Sequence, residues 1–297
     1  MMNFTEFKNR FNLAKTNTQL VYINIGVFLV VALINVFDEL FGLSPNGLSS
    51  KLQLPSDFGI LGKQPWGILT YMFLHLNLLH LFFNMLCLYW FGQIFLRYFT
   101  SKQLIGLYIF GGIFGGLAYM LCYNYLPYFS GQTTLLCGAS ASIMALIVAA
   151  AMAMPNMQIR LLFIGIIKLK WVAIGTILIS MLGITSSNAG GEIAHIGGAA
   201  GGWLWAVLLR KNIELTKPID WIISLFTNIF KILFDRKPTL RHTNRKYHYV
   251  KPDEQYNVEH RENNRNLDAI LDKIRKSGYS SLTEEEKKQL FDISQKV

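Results

Sequence analysis

Long apolar runs separated by short polar breaks dominate the first two thirds of the chain. Six runs stand out, at 19–37, 74–96, 103–122, 138–154, 161–182 and 193–209. Apolar stretches of roughly 18 residues or more are long enough to cross a bilayer as helices. The fourth run is short, and its flanks can extend it. Beyond residue 210 the pattern changes. Over 220–235, Trp221, Ile222, Leu225, Ile229, Ile232 and Leu233 fall on one helical face, and Asp220, Ser224, Thr227, Asn228, Lys231 and Asp235 on the other. Such a helix is expected to lie in the membrane interface. The segment 236–251 is basic and holds no acidic residue. It reads either as an attractor of anionic headgroups or as a solvated linker. Further on, Leu267, Ile270, Leu271 and Ile274 recur at helical spacing, Gly278 breaks the pattern, and Thr283 with Glu286 forms a capping-box signature. A small helical hairpin is predicted there, read as an interaction or regulatory module with a cytoplasmic partner.

Composition supports the membrane reading. Of 297 residues, 52% are hydrophobic and only 15% charged, which is too apolar for an ordinary soluble domain. Positive charge sets the expected orientation. Lys8, Arg10 and Lys15 precede the first run, Arg97 and Lys102 separate the second from the third, and Arg160, Lys168 and Lys170 surround the junction of the fourth and fifth. Arg210, Lys211 and Lys217 follow the sixth, whereas the loop 123–137 has neither Lys nor Arg. Both termini are therefore expected in the cytoplasm. The polar first eighteen residues and the long first run do not fit a cleavable signal peptide. Cys87, Cys122 and Cys137 have no metal-ligand spacing and are expected as buried thiols. No recognition fold accompanies the basic stretch, so no nucleic-acid partner is expected.

Ionisable residues inside a span are costly and point to function. Here they are nearly all histidines: His75 and His80 at the start of the second run and His195 in the sixth. His80 and Asn84 in HLFFN are four residues apart and share a helical face. Two donors on one face suit an anionic oxygen, or alternatively glue two helices together. The fourth run opens GASAS, with Ser140 and Ser142. The sixth reads AHIGGAAGGW, where Gly197, Gly201 and Gly198, Gly202 form two GxxxG spacings that permit close helix approach. If that stripe meets the fourth run at Gly138, Ala141, Ser142 and Ala145, His195 comes within reach of Ser140. A neutral imidazole beside a hydroxyl can make it a nucleophile.

HLFFN, GASAS and AHIGG, on runs of the right rank and order, resemble the motifs of the rhomboid family of intramembrane serine proteases. The resemblance covers roughly residues 19–210. It implies an all-α polytopic membrane protein, a six-transmembrane-helix rhomboid bundle, here followed by a cytoplasmic helical tail similar to the hairpin of some bacterial rhomboids. It implies Ser140 as nucleophile, His195 as general base, His80 and Asn84 as oxyanion-hole donors, and a Ser–His dyad with no catalytic acid. Gly198 and Gly202 match the glycines that let the sixth helix pack, and Gly138 lies beside the site. Glu192, three residues before His195, could orient it. Ser142 is read as a packing residue. Ala141 stands where the family usually has glycine, Met144 where an aromatic often packs on the histidine, Trp66–Gly67 where a Trp–Arg pair is common, and Leu96 where glutamate is frequent.

The expected organisation is a cytoplasmic segment 1–18, a protease core 19–210, an interfacial helix 218–235, a basic linker 236–264 and a hairpin 265–297. The expected function is cleavage of transmembrane protein substrates in the lipid bilayer of a bacterial inner membrane, with no cofactor. A non-catalytic rhomboid-like protein that binds membrane segments is the alternative. A transporter using the histidines as a proton relay would leave the three motifs unexplained.

Overall fold

The computed structural model describes residues 3–43, 47–161, 165–219, 221, 224–225 and 269–288. The chain divides into two compact units, Met1–Asp235 and Arg236–Val297.

The first unit is helical. Short α1 (Phe4–Leu13) leads into α2 (Thr16–Leu40), followed by α3 (Gly47–Leu52), strand β1 (Leu54–Pro55), α4 (Phe58–Lys63) and α5 (Gly67–Thr70). Then come α6 (Leu78–Phe95), α7 (Ser101–Tyr125), β2 (Leu135–Leu136), α8 (Ser140–Ala153), β3 (Gln158–Leu161), β4 (Gly165–Lys168), α9 (Leu169–Leu182) and α10 (Ala189–Arg210). Among the described residues, α2, α6, α7 and α10 are long and apolar enough to cross a membrane. Helices α8 and α9 are apolar but shorter.

Two of the expected boundaries move. The second run was expected to be helical from residue 74, but α6 starts at Leu78. Asn77 caps it, its side-chain oxygen accepting the His80 N–H at 2.7 Å. His75 therefore sits in the preceding loop. The fifth run was expected to span from residue 161, but its start belongs to the antiparallel pair β3–β4, in which Leu161 faces Gly165 and Gln158 faces Lys168. Gly165 has φ +92°, a conformation L side chains rarely adopt. An apolar run of this length is compatible with either strand or helix, and glycine is a poor helix former. The cysteines are free, but half-buried rather than buried.

Tight packing centres on α7, α8 and α10. In α8 every residue from Ala141 to Ala151 is buried. A methyl placed on Gly198 would overlap the carbonyl oxygen of Ala141, and one on Gly202 that of Ala145. On Gly115 it would come 2.7 Å from the Ala194 oxygen, and on Gly197 it would lie 2.9 Å from the Cα of Gly115. Backbones touch here because no side chain intervenes. Helix α2 attaches differently, through asparagines: Asn17 donates to the Tyr89 carbonyl at 2.9 Å and Asn24 to the Tyr108 hydroxyl at 3.3 Å.

Loops on one side are cross-linked. β1 pairs antiparallel with β2. Ser56 N–H donates to the Thr134 carbonyl at 3.0 Å, Asn124 donates to the Ser56 carbonyl at 2.7 Å, and the Tyr119 and Thr134 hydroxyls meet at 2.8 Å. This lattice holds Thr134, Leu135 and Leu136, just ahead of the turn into Ser140.

In the second unit, residues 269–277 are helical and Gly278, at φ +78°, ends the helix. Glu286 accepts the Thr283 N–H at 2.7 Å while Thr283 accepts the Glu286 N–H at 3.3 Å, completing the expected capping box. Lys273 reaches Glu286 at 2.9 Å and ties the two helices together. Most of the expected interfacial helix 218–235, and all of the basic linker 236–264, lie outside the described residues.

Candidate active site

Ser140 is the first residue of α8, and its approach is shaped by Gly138 and Ala139. Gly138 has φ +124°, and its N–H donates to the Tyr71 carbonyl at 2.9 Å. Tyr71 is itself anchored, its hydroxyl donating to the Gly112 carbonyl at 2.5 Å. The turn thus hangs from a buried tyrosine. Glycine is required at 138 for a second reason. A Cβ there would lie 2.7 Å from His80 Cε1, 2.9 Å from its Nε2 and 3.8 Å from Ser140 Oγ. The His80 ring and the Ser140 hydroxyl therefore converge on one spot beside this glycine.

His80 and Asn84 occupy successive turns of α6. Asn84 is buried and donates one side-chain N–H to the His80 carbonyl at 2.9 Å. An amide has a second N–H to give. His75 was given no role from sequence. It is buried, its ring centroid is 5.2 Å from that of His80, and its Nε2 faces the Ala139 N–H at 3.5 Å. It approaches His80 and Ala139 from the loop side.

His195 enters from α10. It sits three residues before Gly198, whose Cα packs on Ala141, the neighbour of Ser140. It is also an electrostatic neighbour of His80. Its Nδ1 lies 3.1 Å from Ser180 Oγ and 3.2 Å from Glu192 Oε2. Glu192 is one turn earlier on the same helix, in the first turn of α10, where the helix dipole favours a carboxylate. Ser180 comes from α9, is buried, and carried no signal in the sequence beyond being a hydroxyl in an apolar helix. Among the described residues no hydrogen bond joins Ser140 to His195.

Ser142 lies apart from this cluster. It is fully buried, its hydroxyl has no hydrogen-bond partner among the described residues, and it points at Gly112. Ala141 is accommodated by glycines opposite: its methyl meets Gly115 and its carbonyl meets Gly198. Among the described residues no group of three His, Cys, Asp or Glu is placed to share a metal ion.

A family model for the Rhomboid domain matches residues 62–212. The chain belongs to the rhomboid family. That match spans α5 to α10 and includes His80, Asn84, Ser140 and His195. Together with its apolar helices, rhomboid membership makes this an integral membrane protein of a family associated with serine proteolysis. A second model, for a family of unknown function (DUF6576), matches residues 252–296, the region of the helical hairpin. Curated proteins give no match.

Proposed function

We propose that this rhomboid is an intramembrane serine endopeptidase that cleaves transmembrane protein substrates. The observation that carries the reading is the backbone joint between α8 and α10, Gly198 on Ala141. It sets His195 beside the helix end that bears Ser140. With the Nδ1 proton donated towards Glu192 and Ser180, Nε2 is left as the acceptor. Nε2 takes the Ser140 proton as Oγ attacks the scissile carbonyl. The resulting oxyanion is held by His80, the free N–H of Asn84 and the Ser140 backbone N–H. One such donor contributes about 3 kcal/mol to the transition state. His195 then protonates the leaving amine, and water releases the acyl-enzyme.

Glu192 modifies the expectation of a dyad with no acid. A carboxylate 3.2 Å behind the imidazole stabilises the imidazolium as it forms. Ala141, for its part, lies between glycines rather than against the nucleophile's partners.

The short helices fit this chemistry. We count α8 and α9 with the four long helices as six crossings, with both termini in the cytoplasm of a bacterial inner membrane. Each has 14 residues, about 21 Å of helix against a hydrocarbon core of about 30 Å. Ser140, at the end of α8, thus lies below the membrane surface, and water reaches it from the extracytoplasmic loops.

The competing reading is a rhomboid that binds membrane segments without cutting them. It draws on the absence of a Ser140–His195 hydrogen bond among the described residues. Catalytic hydrogen bonds often tighten only when substrate binds. Labelling with a fluorophosphonate separates the two. Wild type and Ser142→Ala are expected to label, and Ser140→Ala and His195→Ala are not. Folded wild type that never labels would favour the binding protein.

A further inference from the structure

At the end of the bundle away from Ser140, α8, α9 and α10 part and leave a cavity of 540 Å³. Its walls are apolar, built from Val148, Ala173, Ile177, Ala199 and Trp203, and two cations, Lys170 and Arg210, also line it. These cations belong to the N-terminal end of α9 and the C-terminal end of α10, so they mark one membrane surface. The Arg210 guanidinium donates to the Met152 carbonyl, which holds it in place and leaves further N–H groups to give. Lys170 Nζ stands 5.3 Å from the centre of the Trp171 ring. Among the described residues neither cation is paired with a carboxylate.

An apolar slot ending in two unneutralised cations is complementary to an amphiphile with an anionic head. A free phosphate would gain nothing from the walls. A transmembrane helix about 10 Å across would fill such a volume with little more than one turn. A hydrocarbon chain is slender enough to follow it. A zwitterionic headgroup brings its own cation towards Lys170 and Arg210, whereas an anionic one meets both without that repulsion. The planar fork of Arg210 suits a phosphate in particular.

We propose that this slot binds an anionic phospholipid, with an acyl chain between α9 and α10 and its phosphate on Lys170 and Arg210. The site does not depend on the chemistry of Ser140.

The full-length protein in neutral detergent would be titrated with phosphatidylglycerol or with phosphatidylcholine of the same chains, and bound lipid counted by native mass spectrometry. One cation near an anionic head corresponds to about a fivefold gain in affinity. Wild type is therefore expected to hold phosphatidylglycerol about 25-fold more tightly. Lys170→Gln keeps the backbone hydrogen bond to Pro155 and changes a side chain that has no hydrogen bond among the described residues, so it is expected to reduce that preference about fivefold. Ala200→Phe, at an exposed position on the cavity wall, is expected to weaken both lipids. Equal retention of the two lipids by wild type overturns the proposal. So does an undiminished preference in Lys170→Gln, or displacement of phosphatidylglycerol by equimolar inorganic phosphate.

Discussion

Helices α8 and α9 have the same length and are both strongly apolar, yet their surroundings are opposite. α8 buries an unbroken stretch from Ala141 to Ala151, whereas α9 buries only Leu169, Ala173 and Ser180. Leu178, Ile179, Met181 and Leu182 of α9 are all exposed. The difference lies in size, not polarity. α8 is rich in alanine and faces the glycines of α7 and α10, while α9 is built of Ile, Leu and Trp. In a bilayer lipid tails are as apolar as leucine, so hydrophobicity does not draw a helix inward; small residues that let backbones meet do. Ser140 thus stands on the more confined of these two helices, and His195 receives one of its two Nδ1 contacts from the other.

That contrast can be broken most severely at the joint. Gly198→Val forces a side chain onto the Ala141 carbonyl and is expected to cost more than about 3 kcal/mol, beyond ordinary overpacking. Thermal unfolding in detergent would register it, and an unchanged midpoint would refute the backbone contact. Next in size is the support behind His195. Glu192→Gln is expected to lower kcat by about ten- to a hundredfold, the worth of one hydrogen bond to a charged group, with labelling by the probe retained but slowed. A rate equal to wild type would restore the plain dyad.

Smaller effects test the two helices directly. Gly175 on α9 has open space where a Cβ would go, so Gly175→Ala should raise stability by about 0.5–1 kcal/mol through helix propensity. The same change at Gly202 should instead destabilise. Removing the unpaired, buried Ser142 hydroxyl with Ser142→Ala should leave activity unchanged and stability equal or higher by about 1 kcal/mol.

The least effect belongs to the second unit. The hydrogen bond from Lys273 holds the Glu286 carboxyl below its ordinary range. A carboxylate so depressed stabilises the folded hairpin above its unfolded pKa, and that contribution is lost as pH falls through the folded value. Amide protection factors in residues 269–288, corrected for the intrinsic rate at each pH, should fall slightly on acidification in wild type, and less so in Lys273→Gln.

Much of this arrangement was legible in the sequence. The long runs gave α2, α7 and α10 directly, because a span's length is set by the bilayer. HLFFN and GASAS contain His80 and Ser140, which meet beside Gly138, because short motifs carry local geometry. Contacts between distant segments were not legible. Nothing in the spacing announces that Leu54–Pro55 pairs with Leu135–Leu136, or that Ser180 meets His195 from another helix. The apolar stretch through Ile166 and Ile167 looked helical because hydropathy has no memory of backbone geometry, and Gly165 was the one residue that disagreed.

The glycine face of α10 also has a consequence for how the protein is made. α10 is the last apolar helix of the bundle to leave the ribosome. Until it arrives, Ala141 and Ala145 meet only the glycines of α7, and their carbonyls lack Gly198 and Gly202. A chain halted before residue 189 therefore carries Ser140 on a helix packed on one glycine face instead of two. Ser140 gains its second packing face only when synthesis has already delivered His195.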